Sequence, residues 1–114
     1  MKYQLNGKEI ETCAVGTWAW GKGNNGAKIV FGAERNEEQL EETFNTALDL
    51  GFDLWDTAEV YGMGSAERLI AQFRAERSLI LSTKHFPKNR YKPGECRRAI
   101  EGSLERLEVD SIDL

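Results

Sequence analysis

Three side chains with acid–base chemistry lie at or just beyond the ends of two apolar stretches in this chain of 114 residues. Asp56 ends the run Phe52–Asp56, Tyr61 follows five residues later, and Lys84 ends a second run, Leu79–Lys84. A phenol has a pKa of ~10, and a neighbouring ammonium lowers that pKa by stabilising the phenolate. A carboxylate paired with the ammonium keeps it charged and oriented. The three groups can therefore act as one coupled proton donor to a carbonyl oxygen.

Each of these residues also has an ordinary structural interpretation. An aspartate at a strand end commonly caps a turn, a tyrosine commonly packs with its hydroxyl hydrogen-bonded, and a lysine is commonly a solvated surface residue. Their shared placement at the carboxyl ends of consecutive strands favours a functional site, because barrel enzymes hold their active sites at that edge.

The elements that must position these residues alternate between strand and helix patterns. A two-residue hairpin turn is predicted at Asn6-Gly7, and a short strand at 14–18. A glycine-rich loop covers 19–35, and Asn36 is predicted to cap the helix that follows. The later elements are strand 52–55, a helix capped by Ser65 that runs to about residue 74, strand 78–83, a helix after Pro93 and strand residues 111–114. This series predicts an α/β fold with a parallel sheet: an N-terminal β-hairpin followed by about three and a half βα units.

The loop Gly21–Gly26 matches the dinucleotide-binding pattern G-x-G-x-x-G, but its surroundings argue against that site. Such a motif opens a helix at once and is followed about 20 residues later by an acidic residue at a strand end. The residues after Gly26 show no helix start, and the position about 20 residues on falls inside a predicted helix. We interpret these glycines as residues of a flexible loop.

Composition limits the expected partners of the chain. The net charge is −4 and no basic stripe is present, so neither nucleic acid nor an anionic membrane is an expected partner. Cys13 and Cys96 fit no metal-binding spacing and the single histidine, His85, has no ligand partner, so no metal site is predicted. No secretory signal and no apolar run near ~20 residues are present. The expected location is the cytoplasm, with both thiols free.

Taken together, these motifs resemble those of the aldo-keto reductase family. The resemblance covers essentially the whole chain and rests on the segments Gly16–Gly21, Gly51–Glu67, Ser82–Lys84, Ser103–Leu107 and Val109–Leu114. It implies a (β/α)8 barrel, with residues 1–114 as the N-terminal part of a single barrel domain. The hairpin at Asn6-Gly7 is similar to the one that closes the bottom of that barrel.

The resemblance implies reduction of aldehydes and ketones with NADPH and without a metal. It makes Tyr61 the general acid, Lys84 the residue that tunes it, and Asp56 the partner of Lys84. The positions that match residues beside the nicotinamide are Gly16, Thr17, Trp18 and Asp56. Trp20 matches a position in the substrate pocket, and the substrate is expected to be a small carbonyl compound.

One departure from the family pattern concerns the end of the chain. The family's catalytic histidine follows the Asp-Leu of the fourth strand, and this chain ends at Asp113-Leu114. A barrel of this kind takes ~250 residues. The sheet is therefore expected to have unpaired edges, and to be completed by self-association or by another piece. Weak activity or none is expected of the chain alone.

Two other functions fit the same residues. A non-catalytic NADPH-binding regulatory subunit of the same fold can keep Asp56, Tyr61 and Lys84. A half-barrel can also serve only as an assembly module. Turnover distinguishes an enzyme from a regulatory subunit, and sedimentation as a defined dimer without cofactor affinity identifies an assembly module.

Overall fold

Five strands and four α-helices form the part of the chain that the computed structural model describes, which is residues 2–11, 13–87 and 92–114. In chain order they are β1 (Tyr3–Leu5), β2 (Lys8–Ile10), β3 (Val15–Gly16), α1 (Ala27–Phe31), α2 (Glu37–Asp49), β4 (Leu54–Asp56), α3 (Ser65–Arg74), β5 (Ile80–Ser82) and α4 (Glu95–Leu107). One turn of 3-10 helix, Trp18–Trp20, separates β3 from α1.

The predicted N-terminal hairpin is confirmed. Strands β1 and β2 pair antiparallel, with Leu5 opposite Lys8. Asn6 and Gly7 form the two-residue turn with φ values of 49° and 77°. Positive φ at both positions is what a turn matched to the twist of the strands requires, and Asn-Gly adopts it at low cost.

Strands β3, β4 and β5 form a parallel sheet in that order, as the alternating pattern predicts. Gly16, Asp56 and Ser82 are register partners across the sheet, so the carboxyl ends of the three strands lie side by side. The predicted strand at 111–114 is not formed as a regular strand, but this segment lies beside β5, where the Asp113 N–H donates to the Leu81 carbonyl at 3.0 Å. The sheet does not close into a barrel among the described residues.

The core lies between this sheet and the helices α2 and α3. Side chains alternate between the two faces of a strand, so Trp55 faces the helices while Asp56 faces the other side of the sheet. Trp55 is fully buried and its ring centroid lies 4.5 Å from that of Phe44 on α2. The remaining large buried residues of this cluster are Trp20, Leu40, Leu69, Ile70, Phe73, Leu79, Leu81 and Leu107.

The two predicted helix caps have different outcomes. Asn36 caps α2 as expected, because its side-chain oxygen accepts a hydrogen bond from the Glu38 N–H at 2.8 Å. The prediction that Ser65 caps α3 is wrong: the cap position is Gly64, and Ser65 is the first residue inside the helix. Its hydroxyl instead accepts a hydrogen bond from the Lys22 N–H at 2.7 Å, which attaches the glycine-rich loop to α3.

The prediction that no helix starts after Gly26 is also wrong. The α1 helix begins at the next residue, ends at Phe31 and is capped by Gly32, whose φ is 81°. The loop before it is closed by hydrogen bonds from the Gly26 and Ala27 N–H groups to the Gly23 and Gly21 carbonyls, at 2.9 and 2.7 Å. The acidic position that a dinucleotide motif needs at a strand end still falls inside α2.

Candidate active site

An ion pair joins the carboxyl ends of β4 and β5. The Lys84 Nζ lies 2.7 Å from each carboxylate oxygen of Asp56, and it also donates to the Thr57 carbonyl at 2.9 Å. The Ser82 hydroxyl donates to Asp56 Oδ1 at 3.1 Å. The ammonium therefore has three oxygen partners, Asp56 Oδ1, Asp56 Oδ2 and the Thr57 carbonyl, which fix its position.

The register of the parallel strands brings these two residues together. Asp56 pairs with Ser82, and Lys84 lies two residues beyond Ser82 on the same face. The ladder extends past both strand ends, because the Thr57 N–H donates to the Ser82 carbonyl at 2.9 Å and the Glu59 N–H to the Lys84 carbonyl at 3.2 Å.

Tyr61 lies on the turn that leaves β4, beside this ion pair. The Tyr61 N–H donates to the Ala58 carbonyl at 3.1 Å, which folds the chain back over the strand end. The Lys84 Nζ lies 5.3 Å from the centroid of the Tyr61 ring, within the range of a cation–π interaction. The structure thus brings the three predicted acid–base residues together.

The residues predicted to contact a cofactor line the same edge. Thr17 is fully buried, and both its N–H and its hydroxyl donate to the Asp56 carbonyl, at 3.0 and 3.1 Å. Gly16 is exposed, and a Cβ added there would meet no atom within 4 Å. Trp18 is 45% exposed and stacks on the Tyr61 ring, with centroids 5.5 Å apart and an angle of 11° between planes.

Trp20 is not brought to this edge. Its ring is 6% exposed, and its ring contacts in the described part of the chain are with Phe44, Trp55 and Phe73. Because of the 3-10 turn, the two tryptophan side chains point in different directions: Trp18 points to the strand ends and Trp20 into the core. In this structure Trp20 is a core residue, and a substrate contact for it stays a prediction.

Two further residues belong to this edge and were not predicted. Glu59 lies between Asp56 and Tyr61 in the sequence, and His85 follows Lys84. One oxygen of Glu59 lies 2.6 Å from His85 Nδ1 and accepts a hydrogen bond from the Phe86 N–H at 3.0 Å. In the sequence, these two residues are marked only by their positions within or next to the two motifs. A glutamate or a histidine at such a position does not indicate which residue it contacts.

Glu67, at the end of the Gly51–Glu67 motif, lies away from the ion pair of Asp56 and Lys84 and joins two helices. Its side chain is fully buried, paired with Arg106 of α4 and bonded by the Thr83 hydroxyl at 2.7 Å.

The described residues contain no group of three His, Cys, Asp or Glu side chains placed to hold a metal ion. None of their helices has the length and apolar character that crossing a membrane requires.

The comparison with protein families identifies the family of the chain. The model of the Aldo/keto reductase family matches residues 13–114. The chain belongs to the aldo-keto reductase family. This confirms the resemblance inferred from the motifs, and it makes the chain a member of an oxidoreductase family.

Individual relatives agree with this family. The chloroplastic pyridoxal reductase of Arabidopsis thaliana is 29% identical over 128 aligned positions, which cover 99% of this chain and 33% of that protein. A thermostable aldo-keto reductase solved with the inhibitor epalrestat has a TM-score of 0.76 and 27% identity, covering 98% of this chain and 40% of its own. An aldo-keto reductase from Klebsiella pneumoniae, solved in complex with NADPH, has a TM-score of 0.71 and 27% identity, covering 92% and 34%.

These similarities confirm the predicted fold class. The described residues form a partial (β/α)8 barrel, with the hairpin followed by about three and a half βα units. The chain spans 33–40% of the length of these three relatives.

Proposed function

We propose that residues 1–114 are the N-terminal part of a single barrel domain that reduces aldehydes and ketones to alcohols with NADPH. The observation that carries the proposal is the Asp56–Lys84 ion pair beside Tyr61 at the carboxyl ends of adjacent parallel strands. This arrangement supplies a proton donor held next to a fixed positive charge.

In the proposed reaction Tyr61 donates its phenolic proton to the carbonyl oxygen of the substrate. Lys84 stabilises the phenolate that remains, because its ammonium is held next to the ring. Asp56 orients that ammonium through two contacts of 2.7 Å. The proton donor and its counter-charge are in place before substrate binds, which lowers the reorganisation needed in the transition state.

The residues at the end of β3 fit a planar cofactor ring. Gly16 leaves open space above the strand end, and Thr17 holds the β3 backbone against Asp56. The exposed Trp18 ring provides an apolar surface beside Tyr61. NADPH, which the Klebsiella pneumoniae relative binds, would supply the hydride to the carbonyl carbon. In this proposal Gly16, Thr17, Trp18 and Asp56 border the nicotinamide.

The proposed substrate is a small carbonyl compound that lies against Tyr61. Trp18 is the better candidate for its apolar wall, since Trp20 is covered by the core aromatics. The cytoplasm stays the predicted location, although the Arabidopsis thaliana relative is described as chloroplastic.

The open edge of the sheet supports a proposal about assembly. A groove with a volume of about 470 Å³ runs along β3, and its lining includes Cys13, Val15 and Phe52. Among the described residues β3 is an edge strand of the sheet, and an edge strand beside an apolar groove favours pairing with further polypeptide. We propose that more chain, or a second copy, completes the barrel here.

The first experiment is a titration of the protein that carries these residues with NADPH, followed by tryptophan fluorescence. Saturable quenching is expected, because Trp18 borders the proposed nicotinamide site. Turnover of aldehydes and ketones is then measured for the wild type and for Tyr61→Phe. We expect the variant to bind NADPH normally and to lose about 10²–10⁴-fold in kcat, the usual contribution of a general acid.

The outcomes separate the competing functions. NADPH binding without turnover of any carbonyl compound would identify a regulatory subunit that keeps the fold. A defined dimer that does not bind NADPH would identify an assembly module. Equal turnover by Tyr61→Phe and the wild type would remove Tyr61 from the acid role.

A further inference from the structure

Glu59 contacts the backbone around Lys84 both through its own backbone and through its side chain. The Glu59 N–H donates to the Lys84 carbonyl at 3.2 Å, and Glu59 Oε1 accepts from the Phe86 N–H at 3.0 Å. Among the described residues, the backbone of residues 84–86 makes these two hydrogen bonds. Glu59 therefore holds the main chain on both sides of His85, at the point where β5 has ended.

The imidazole of His85 completes this contact. Its Nδ1 lies 2.6 Å from the same Glu59 oxygen. A carboxylate can only accept a hydrogen bond, so Nδ1 carries the proton and donates it. The His85 and Glu59 side chains are 15% and 20% exposed, so the hydrogen bond is largely shielded from water.

The other ring nitrogen does not make an equivalent contact. His85 Nε2 lies 3.9 Å from Glu95 Oε1 on α4, beyond hydrogen-bond distance, and it has no hydrogen-bond partner among the described residues. The imidazole is therefore anchored through Nδ1, on the side that faces the turn between Asp56 and Tyr61.

We propose that Glu59 and His85 form a clamp that positions Lys84 against Asp56 and Tyr61. In this clamp the Glu59 carboxylate joins the turn that carries Tyr61 to the segment that carries Lys84. His85 holds that carboxylate in place by donating from Nδ1. Both are positioning residues that act through Lys84. The inference rests on the proposed function in assigning Lys84 a part in proton donation.

The chemistry of the clamp predicts which substitutions preserve it. Glu59→Gln keeps an oxygen that can accept from both donors, whereas Glu59→Ala keeps neither contact of the side chain. His85→Asn places an amide N–H near the position of Nδ1, whereas His85→Ala removes the donor. The conservative member of each pair is expected to restore what the alanine variant loses.

The first test does not depend on activity. Folded protein is treated briefly with acetic anhydride, and acetylation of Lys84 is measured by mass spectrometry relative to Lys28, an exposed lysine on α1. Lys84 is expected to be acetylated about fivefold faster in Glu59→Ala, because a released ammonium exchanges its partners for water. Glu59→Gln and His85→Asn are expected to stay within about twofold of the wild type.

The second test measures turnover of a carbonyl compound with NADPH. Glu59→Ala is expected to lower kcat about 10–100-fold, the effect of displacing a reacting group by about 1 Å. The KM for NADPH is expected to change less than twofold, and the pH dependence of kcat is expected to change. Glu37→Ala is the control, because it removes a carboxylate that also accepts two hydrogen bonds, in this case from the side chains of Lys22 and Gln72.

Each result decides one of the two proposals. Unchanged acetylation of Lys84 together with unchanged kcat in folded Glu59→Ala would overturn the clamp. If Glu59→Ala does not fold, His85→Ala and His85→Asn give the same comparison, and equal values for the two overturn it. A wild type that shows the expected acetylation pattern but reduces no carbonyl compound would leave the clamp standing and refute the proposed function.

Discussion

Lys84 has a more constrained environment than a surface lysine. Its ammonium contacts both oxygens of Asp56 and the Thr57 carbonyl, all within 2.9 Å. The side chain is nevertheless 49% exposed, so solvent screens the ion pair and it adds little to the stability of the fold. These contacts of Lys84 are therefore better explained as a means of holding its charge beside Tyr61 than as a source of folding stability.

The substitution Lys84→Met tests this at the scale of one residue. Methionine keeps most of the length of the side chain and removes the charge, so the phenolate left by Tyr61 loses its counter-charge. We expect kcat to fall at least about 100-fold, with NADPH binding and thermal unfolding nearly unchanged. Lys28→Met on α1 is the control, and a Lys84→Met enzyme with full activity and the wild-type pH–rate profile would contradict the assignment.

At the scale of elements, a buried ion pair joins α3 to α4. Glu67 is fully buried, and its carboxylate contacts Arg106 Nε at 2.5 Å and the Thr83 hydroxyl at 2.7 Å. Because Thr83 directly precedes Lys84, this carboxylate connects both helices to the segment that enters the site. Its role is structural, because the side chains that it contacts, those of Arg106 and Thr83, link elements of the fold to one another.

Removing one partner of this pair is expected to be costly. Glu67→Ala leaves the largely buried Arg106 guanidinium uncompensated, which we expect to destabilise the fold by about 3 kcal/mol. The double substitution Glu67→Met with Arg106→Leu should recover most of that loss, because it replaces both charges by apolar groups. Urea unfolding of the single and double variants measures this, and a double variant no more stable than Glu67→Ala would show that the pair does not act as a unit.

A second contact between elements joins the glycine-rich loop to the turn that carries Tyr61. A Cβ at Gly21 would lie 2.6 Å from the Gly62 nitrogen and 2.8 Å from the Tyr61 carbonyl carbon. Backbone therefore contacts backbone here, with no flexible side chain to move aside. The loop can lie this close only because residue 21 lacks a side chain.

We expect Gly21→Ala to displace the Tyr61–Gly62 backbone and to reduce turnover more than stability. The control is Gly23→Ala, which has a φ of 69° but no atom within 4 Å of an added Cβ. Its left-handed conformation costs about 1 kcal/mol without moving Tyr61. Comparing kcat with the unfolding midpoint separates the two effects. Equal loss of kcat in both variants would refute a specific contact with the site.

At the scale of the whole molecule, the N-terminal hairpin is fastened to the last residues of the chain. Asn6 Nδ2 donates to the Asp113 carbonyl at 2.9 Å, and Lys8 Nζ contacts Asp113 Oδ1 at 2.8 Å. The Leu81 N–H donates to Asp113 Oδ2 at 3.0 Å. Burial disfavours the charged carboxylate, but the hydrogen bonds from Lys8 and Leu81 and the charge of Lys8 outweigh it and hold the pKa of Asp113 below its ordinary value of 3.8.

This carboxylate makes stability depend on pH in a defined direction. A pKa that is lower in the folded state means that the contribution is present above about pH 4, the unfolded value, and is lost as pH falls through the folded pKa. We expect Asp113→Asn to be less stable than the wild type at pH 7. The difference in urea midpoint should shrink as pH is lowered from 5 towards 2. A difference that stays constant over this range would show that Asp113 stabilises the fold without its charge.

The sequence by itself determined that Asp56, Tyr61 and Lys84 lie together, and it determined the framework that positions them. Asp56, Tyr61 and Lys84 could be placed together because carboxyl ends of adjacent parallel strands share one edge, whatever the details of packing. The hairpin followed from Asn6-Gly7, and the start of α2 from Asn36, because those signals act within a few residues.

Only the tertiary structure decided which neighbouring residues serve the site and which serve the core. The sequence pattern predicts both Trp18 and Trp20 at the site, but a single 3-10 turn places Trp18 against Tyr61 and Trp20 in the aromatic core. Ser65 bonds to the glycine-rich loop in place of capping α3. The partner of His85 is 26 residues away in the sequence. Propensity and periodicity describe local preferences, whereas these contacts depend on which distant segments pack together.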